Sequence, residues 1–152
     1  MRLLLNEPDV SDCFQETFVS ALEISRREKV ANWGGLLQRI ATLRALDQLR
    51  RRMRERSFHK TTLSQEVVWQ GADPVQEAEA IELSDRLRVA LARLPAAQSQ
   101  AFCLRHLSGL DYSDIAREMG LSVSAAGGLI HRARAALEES LLGAAANDVK
   151  RP

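Results

Sequence analysis

The sequence predicts an all-α protein in which two small helical domains are joined by a linker, the second being a helix-turn-helix of winged-helix-like form. Aromatic residues make up only 5% of the 152 residues, a composition that disfavours a β-sandwich. Apolar residues recur at separations of three and four, as in helices that bury one face. Two glycines and two capping residues between positions 109 and 122 separate short helical segments, which is typical of a helix-turn-helix.

The distribution of charge divides the chain into three segments. Residues 1–56 carry 11 Lys and Arg against 8 Asp and Glu, a net charge of +3. Residues 57–84 carry one Lys against five acids, a net charge of −4, and residues 85–142 carry seven Arg against six acids, a net charge of +1. We therefore predict a first domain over 1–56, a linker over 57–84, a second domain over 85–142 and a disordered tail over 143–152.

The first helix is predicted to begin at Asp9, which follows Pro8 and can cap the helix. The polar stretch 25–32 breaks the helical pattern. Helical spacing predicts a buried face formed by Val10, Cys13, Phe14, Thr17, Phe18, Ala21 and Leu22. The opposite face carries Asp12, Gln15, Glu16 and Ser20.

A second helix is predicted from Trp33 to about Arg56, and its C-terminal end is strongly basic. Its apolar side can be lined by Trp33, Leu36, Leu37, Ile40, Leu43 and Leu49. Six arginines lie between Arg44 and Arg56, more than are needed to complement a helix dipole. Because guanidinium groups pair well with phosphate, this end can bind nucleic acid, although a solvated helix end is an equally open interpretation.

The second half of the chain is predicted to contain four helices. An acidic helix over Pro74–Arg93 has Pro74 at its first turn, which proline favours. The next helix starts at Leu94-Pro95 and is stopped by Gly109. Asp111 caps a short helix, Tyr112–Met119, which Gly120 stops. Ser122 caps a longer helix that runs to about Leu142, and the last two helices form the helix-turn-helix.

The sequence lacks the residue patterns of common enzymes. His59, His106 and His131 lie far apart, and there is no phosphate-binding glycine loop, HExxH motif or CxxC pair. Cys13 and Cys103 are interpreted as buried thiols in a reducing cytosol, without a disulfide or zinc site. We predict a cytoplasmic protein with no catalytic residue, no cofactor, no metal and no membrane partner, because no apolar run approaches the length of a membrane span.

Three stretches resemble a known family. Residues 12–18, DCFQETF, resemble the "D-x-x-Q-E-x-F" helix of sigma-factor region 2. Residues 33–52, WGGLLQRIATLRALDQLRRR, resemble the helix that follows it in that region. Residues 94–142, which include LPAAQSQAFCLRHLSGLDYSDIAREMGLSVS and HRARAAL, resemble region 4. The chain thus resembles the extracytoplasmic-function (ECF) sigma factors of bacterial RNA polymerase, over most of 9–56 and nearly all of 94–142.

The resemblance implies a role for each stretch. The polymerase-binding positions would be Asp12, Gln15, Glu16 and Ser20. The positions near the −10 promoter element would be Arg39, Thr42, Leu43, Arg44, Asp47, Arg50 and Arg51. The positions that read the −35 element would be Ser122, Ser124, Ala125, Gly127, Gly128, His131, Arg132 and Arg134. The linker would run toward the active-site channel of the polymerase.

Three positions depart from the family pattern. The family has one more helix before the position of Asp9, whereas only eight residues precede Asp9 here. Absence of that helix would leave three apolar side chains partly uncovered: Phe14, Phe18 and Leu22. Leu43 stands where the family has an Asn on the −10 helix. Residues 124–130, SAAGGLI, lack the Lys and Arg of the family's reading helix, and glycine reads no base edge.

The resemblance implies a sigma factor that binds core RNA polymerase and promoter DNA, is a monomer when free and is held by an anti-sigma factor or other regulator. An alternative is a sigma-like interaction protein that binds polymerase or a regulator without initiating transcription. A helix-turn-helix repressor of another type is a third hypothesis, but it leaves the matches at 12–18 and 33–52 unexplained.

Overall fold

The computed structural model describes residues 7–58 and 74–148, and within those ranges the chain forms six α-helices and no strand. The all-α prediction is therefore confirmed. The helices are α1 (Glu7–Arg27), α2 (Trp33–Phe58), α3 (Pro74–Arg93), α4 (Ala96–His106), α5 (Tyr112–Met119) and α6 (Val123–Asp148). Outside the described chain lie residues 59–73 and residues 149–152. The first of these ranges contains most of the predicted linker, with His59 and Trp69.

Two helices are longer than the sequence predicts. α1 begins at Glu7 and continues to Arg27, beyond the last residue of the predicted apolar pattern, Leu22. Its first turn carries acids and its last turn carries arginines, which suits the helix dipole. α6 continues past Leu142 to Asp148, into the segment predicted to be disordered.

α1 and α2 pack antiparallel as a helical hairpin. Arg52, near the end of α2, forms an ion pair with Asp9 at the start of α1. Toward the other end of the hairpin, Arg44 donates a hydrogen bond from Nη2 to Ser20 Oγ at 3.0 Å. Asp9 at the start of α1 thus meets the late turns of α2, and Ser20 farther along α1 meets the middle of α2, so the two contacts fix the antiparallel register of the hairpin.

The buried face of α1 is narrower than predicted. The small residues that face inward are Cys13, Thr17 and Ala21, spaced four apart. The prediction of burial is wrong for Val10, Phe14, Phe18 and Leu22, which are exposed. Phe14 is 64% exposed, and its ring centroid lies 4.7 Å from that of Phe18. Residues spaced four apart, as Cys13, Thr17 and Ala21 are, form a single stripe along a helix. Phe14, Phe18 and Leu22 each follow a residue of this stripe by one position, so they lie beside it and point away from α2.

α2 is capped by Asn32, whose Oδ1 accepts a hydrogen bond from the backbone N–H of Gly35 at 3.0 Å. The predicted apolar side is buried at Leu36, Ile40 and Leu49, and half-buried at Leu37 and Leu43. Trp33 is exposed instead. Leu46, which the sequence reasoning did not place on this side, is fully buried at 0% exposure.

Among the residues that the structure describes, the buried apolar side chains form three clusters. One lies within the α1–α2 hairpin and contains Ala21, Leu36 and Ile40. Another lies within the helix-turn-helix and contains Ala101, Leu104, Leu110, Ile115, Ala116, Ala126 and Ile130. The shared cluster, as we call the third, contains Cys13, Ala45, Leu46, Leu49, Ala90, Leu91, Cys103 and Leu137. It draws on α1 and α2 from the first predicted domain and on α3, α4 and α6 from the second half, so the two halves pack against each other in this structure. The predicted domain boundaries stay a prediction.

The turns around α5 agree with the predicted stops and caps. Gly109 and Gly120 have φ angles of +74° and +66°, a left-handed conformation that costs glycine little. The carboxylate of Asp111 accepts a hydrogen bond from the backbone N–H of Asp114 at 2.7 Å and caps α5. The backbone N–H of Gly120 donates back to carbonyl groups in the last turn of α5, which closes that helix.

Candidate nucleic-acid interface

The helix-turn-helix presents the start of α6 at the protein surface. Ser122 Oγ accepts a hydrogen bond from the backbone N–H of Ala125 at 3.1 Å, so the predicted cap is present. Ile115 and Ala126, on α5 and α6, are buried in the same cluster and hold the two helices together. A helix fixed in this way can extend its first turns toward the major groove of DNA while the preceding helix braces it.

Most of the predicted reading residues are accessible along α6 and its cap. The exposed members of the set are Ser122, Ser124, Ala125, His131, Arg132 and Arg134. Gly127 and Gly128 are half-buried. Arg134 forms an exposed ion pair with Glu138, with Nε and Oε1 at 2.9 Å. Because that pair is exposed, it is weak and can be exchanged for a contact with phosphate.

The two glycines have neighbours of different kinds. A Cβ atom on Gly127 would lie 3.9 Å from the ring of Tyr112, an ordinary contact distance. A Cβ atom on Gly128 would lie 3.3 Å from Arg132 Nη1, so the guanidinium of Arg132 folds back over this glycine. The Arg132 guanidinium thus lies next to Gly128 on the surface of α6.

The last turn of α4 adds positive charge near the reading helix. His106 stacks on Phe102, with ring centroids 4.5 Å apart. Partial burial, followed by the charges of Arg105 and Arg134, lowers the pKa of His106. His106 is therefore harder to protonate than a free histidine, and the positive charge here comes mainly from the arginines.

The structure divides the predicted −10 residues into an accessible and a covered group. Arg44, Asp47 and Arg51 are exposed. Thr42 is buried, and the remaining members of the set, Arg39, Leu43 and Arg50, are half-buried. Arg39 and Arg50 contact Glu118 and Ser99 in the second half of the chain, and the role of the whole set at a −10 element stays a prediction.

Internal carboxylates pair with several of these arginines. Arg39 Nε lies 3.6 Å from Glu118 Oε2 of α5. Arg44 lies 3.6 Å from Glu16 of α1, and Arg51 lies 3.0 Å from Glu55. The sequence offered no signal for the Arg39–Glu118 pair, because 79 positions separate the two residues and only packing of the two halves brings them together.

The predicted polymerase-binding residues lie on the solvent side of α1. Asp12, Gln15 and Glu16 are exposed, and Ser20 is half-buried. Glu16 and Ser20 both contact Arg44. The structure thus joins part of the predicted polymerase surface to the predicted −10 helix through one arginine.

Both thiols are buried, as predicted. Burial raises the pKa of Cys103 to about 12, against a smaller lowering by Arg50. Burial also raises the pKa of Cys13. Over the residues that the structure describes, no group of three or more His, Cys, Asp or Glu is placed to hold a metal ion. None of the described helices combines the length and apolar character that crossing a bilayer requires.

Comparison with known proteins identifies the second half of the chain first. Residues 74–137 match the family described as Sigma-70, region 4. This stretch contains α3, α4, α5 and the first part of α6, and so includes the whole helix-turn-helix.

Two relatives extend the match over both halves. The ECF RNA polymerase sigma factor SigE of Mycolicibacterium smegmatis is 31% identical over 140 residues, which cover 92% of this chain and 54% of the relative. The ECF RNA polymerase sigma factor SigW of Bacillus subtilis is 26% identical over 153 residues, which cover 92% of this chain and 79% of the relative. Both halves of the chain are therefore similar to ECF sigma factors, and residues 74–137 match Sigma-70 region 4. The chain spans about half the length of the M. smegmatis relative.

A solved structure shows that the whole chain also shares the fold of a sigma factor. The chain resembles RpoE of Bartonella quintana, solved in complex with the anti-sigma factor NepR, with a TM-score of 0.52 and 24% identity. The likeness covers 99% of this chain and 88% of that one. The family resemblance identified from residues 12–18, 33–52 and 94–142 is therefore confirmed, whereas the roles of individual residues stay predictions.

Proposed function

We propose that this chain is an ECF sigma factor that binds core RNA polymerase and directs promoter recognition, with the α1–α2 hairpin at the −10 element and the helix-turn-helix at the −35 element. Its task is binding rather than catalysis. The observation that carries the proposal is the capped α5–turn–α6 unit, whose exposed cationic turns lie in the segment matched to Sigma-70 region 4. Because two promoter elements are contacted by linked modules, weak binding at each one suffices.

At the −35 element, α6 contacts DNA through its exposed first turns. His131, Arg132 and Arg134 bind the phosphate backbone, since arginine pairs well with phosphate. Ser122, Ser124 and Ala125 lie at the start of the helix, closest to the base edges. Gly127 and Gly128 read no base, so the shape of the DNA supplies part of the selectivity.

At the −10 element, the exposed arginines of α2 bind the opened strand. Arg44 and Arg51 attract the phosphates, and their present carboxylate partners are exposed and easily exchanged. Arg39, Thr42, Leu43, Asp47 and Arg50 complete the proposed surface. The polymerase contacts Asp12, Gln15, Glu16 and Ser20 on α1.

Transcription with purified components tests the main proposal. The chain is mixed with core RNA polymerase and the DNA upstream of its own reading frame, and transcripts are mapped. Specific transcripts that depend on the chain support promoter recognition. If the chain binds polymerase but no transcripts appear, initiation by this chain is refuted.

Charge variants test the assignment of α6. Replacing both Arg132 and Arg134 with Ala should weaken binding to duplex DNA and reduce the slope of log affinity against log salt by about one for each phosphate that an arginine no longer neutralises. Arg93→Ala is the matched control, because it removes an exposed arginine from the end of α3. Equal salt slopes for the double variant and the control would contradict the assignment.

Glu16→Arg tests the polymerase surface, with Glu23→Arg as the matched control on the same helix. Both residues are exposed, so neither change removes a buried side chain. We expect Glu16→Arg to weaken the complex with core polymerase and Glu23→Arg to leave it intact, as measured by binding of labelled chain to immobilised core.

A second candidate function is binding to polymerase or to a regulator without initiation. The observation that favours it is the engagement of Arg39 and Arg50 in contacts within the chain. The B. quintana relative was solved with an anti-sigma factor, so a regulator of this kind is a proposed partner here. Polymerase binding without transcripts, in every variant, supports this function over the first.

A further inference from the structure

Arg44 contacts two of the α1 residues that are proposed to bind polymerase. Arg44 Nη1 lies 3.6 Å from Glu16 Oε2, and Arg44 Nη2 donates a hydrogen bond to Ser20 Oγ at 3.0 Å. Because Glu16 and Ser20 are four positions apart, they lie on the same side of α1. The guanidinium thus spans one turn of the helix that carries the proposed polymerase surface.

Two other exposed arginines form ion pairs that do not reach this surface. Arg51 of α2 pairs with Glu55, four positions later on its own helix, and Arg134 of α6 pairs with Glu138 in the same way. Neither carboxylate belongs to the residues proposed to bind polymerase. Arg44 instead links a position proposed for the −10 element to positions proposed for polymerase.

The Arg44–Glu16 pair is weak enough for a ligand to replace. The two side chains are 46% and 60% exposed, so water and salt screen their attraction. An exposed pair of this kind shifts an equilibrium by about two- to fivefold at most. A phosphate can therefore displace Glu16 from Arg44, and a cationic side chain can displace Arg44 from Glu16.

We infer that Arg44 couples two binding events, so that attachment of polymerase to α1 and of a DNA strand to α2 strengthen each other. The inference rests on the proposed function, because it concerns residues proposed there to bind each partner. A cationic side chain of the polymerase that binds Glu16 releases the Arg44 guanidinium for a phosphate. Whichever partner binds first breaks the internal pair, so the second binds without that cost, and the gain is the same in either order. No helix needs to move, since only the Arg44 and Glu16 side chains exchange partners.

Loss of Arg44 should strengthen binding to core polymerase in the absence of DNA. Arg44→Ala leaves Glu16 without this pair to break, so we expect about two- to fivefold tighter binding of labelled chain to purified core. Arg54→Ala is the matched control, because it removes another exposed arginine of α2 that is not among the proposed contacts, and it should leave the affinity unchanged. A merely structural role for Arg44 predicts weaker binding of Arg44→Ala instead.

Loss of the Glu16 charge should strengthen binding of the chain to single-stranded DNA. The probe is a short, fluorescently labelled strand of random sequence, titrated with the chain at low salt. Glu16→Gln frees Arg44 and should bind the strand about two- to fivefold more tightly than Glu23→Gln, which removes the same charge at another exposed site of α1. The slope of log affinity against log salt should also become steeper, by up to about 0.7 for one additional phosphate contact.

A double variant shows whether this gain passes through Arg44. In a chain that already carries Arg44→Ala, the further change Glu16→Gln should raise the affinity for the strand no more than Glu23→Gln does, because no guanidinium remains to be released. All of the substituted residues are exposed, so no buried side chain is removed. Circular dichroism of each variant checks that the helices are intact.

The outcomes separate the coupling from the proposed function. If Arg44→Ala binds core no more tightly than Arg54→Ala, the coupling is overturned. It is also overturned if Glu16→Gln binds the strand no more tightly than Glu23→Gln, or does not bind it at all at low salt. Failure of the proposed function would appear differently, as an absence of chain-dependent transcripts when the native chain is mixed with core polymerase.

Discussion

The guanidinium of Arg52 pairs with the carboxylate of Asp9, and this contact joins the late turns of α2 to the first turn of α1. Both side chains are mostly buried. Arg51, the preceding residue, is exposed and pairs with Glu55 on its own helix. Neighbouring arginines at the basic end of α2 thus serve different purposes, one holding the hairpin together and the other facing solvent.

This difference predicts unequal effects on stability. Arg52→Ala should lower the free energy of unfolding by about 1 to 2 kcal/mol, because it leaves Asp9 without this partner in a largely buried setting. Arg51→Ala should change it by less than about 0.5 kcal/mol, as for an ordinary surface substitution. Urea denaturation followed by circular dichroism measures both. Equal effects would show that the Arg52–Asp9 pair does not stabilise the fold.

Leu46 is expected to be the most sensitive apolar position of α2. Leu46→Ala removes a fully buried side chain from the shared cluster and should cost about 2 to 5 kcal/mol, which is the range for such cavities. Leu83→Ala, on an exposed part of α3, is the control and should cost less than about 0.5 kcal/mol. A small loss for Leu46→Ala, measured by thermal or urea unfolding, would mean that the two halves do not pack as described.

Replacing Gly127 or Gly120 of the helix-turn-helix with Ala should change the stability of the protein in opposite directions. Gly127→Ala lies within α6 with room for a methyl group beside Tyr112, so it should stabilise the protein by up to about 1 kcal/mol. Gly120→Ala must adopt a φ of +66°, which should destabilise the protein by about 1 kcal/mol. Melting temperatures of the two variants give the signs. A stabilising Gly120→Ala would contradict the left-handed cap of α5.

Burial of Cys103 predicts an unusual response to pH. Because its pKa is raised to about 12, the thiol stays protonated in the native protein and should alkylate slowly between about pH 7 and pH 9. In urea the rate should rise steeply over the same interval, since an unfolded thiol ionises there. A native rate that follows the unfolded one would refute the burial.

The same shift has a consequence for stability. The folded state keeps the Cys103 proton at a pH where the unfolded state releases it, so this residue makes folding less favourable as the pH rises above the ordinary thiol pKa, 9.0. Cys103→Ala should therefore lose less of its free energy of unfolding than the native protein as the pH rises above that value. The comparison is made by urea unfolding of both proteins across the alkaline range.

The fold class and most helix positions could be predicted from the sequence because their signals are local. Apolar spacing of three and four marks a helix wherever it occurs, and the ends of α5 and the start of α6 follow from Asp111, Gly120 and Ser122, whose side chains or backbone act within one turn. Residues 12–18, 33–52 and 94–142 carry the family resemblance for the same reason. Helix ends without such residues, as at Arg27 and Asp148, lie beyond the predicted ends.

What the sequence alone determined is thus which segments are helical, where the helix-turn-helix lies and which family the motifs resemble. Tertiary structure decided which side chains of those helices reach solvent. It buried Leu46 and exposed Phe14, because a helix has several apolar residues round its axis and its partner covers only some of them. It also brought Arg39 to Glu118 and Arg50 to Ser99. Contacts between residues so far apart in the chain depend on how two halves dock, and no periodicity within either half encodes that.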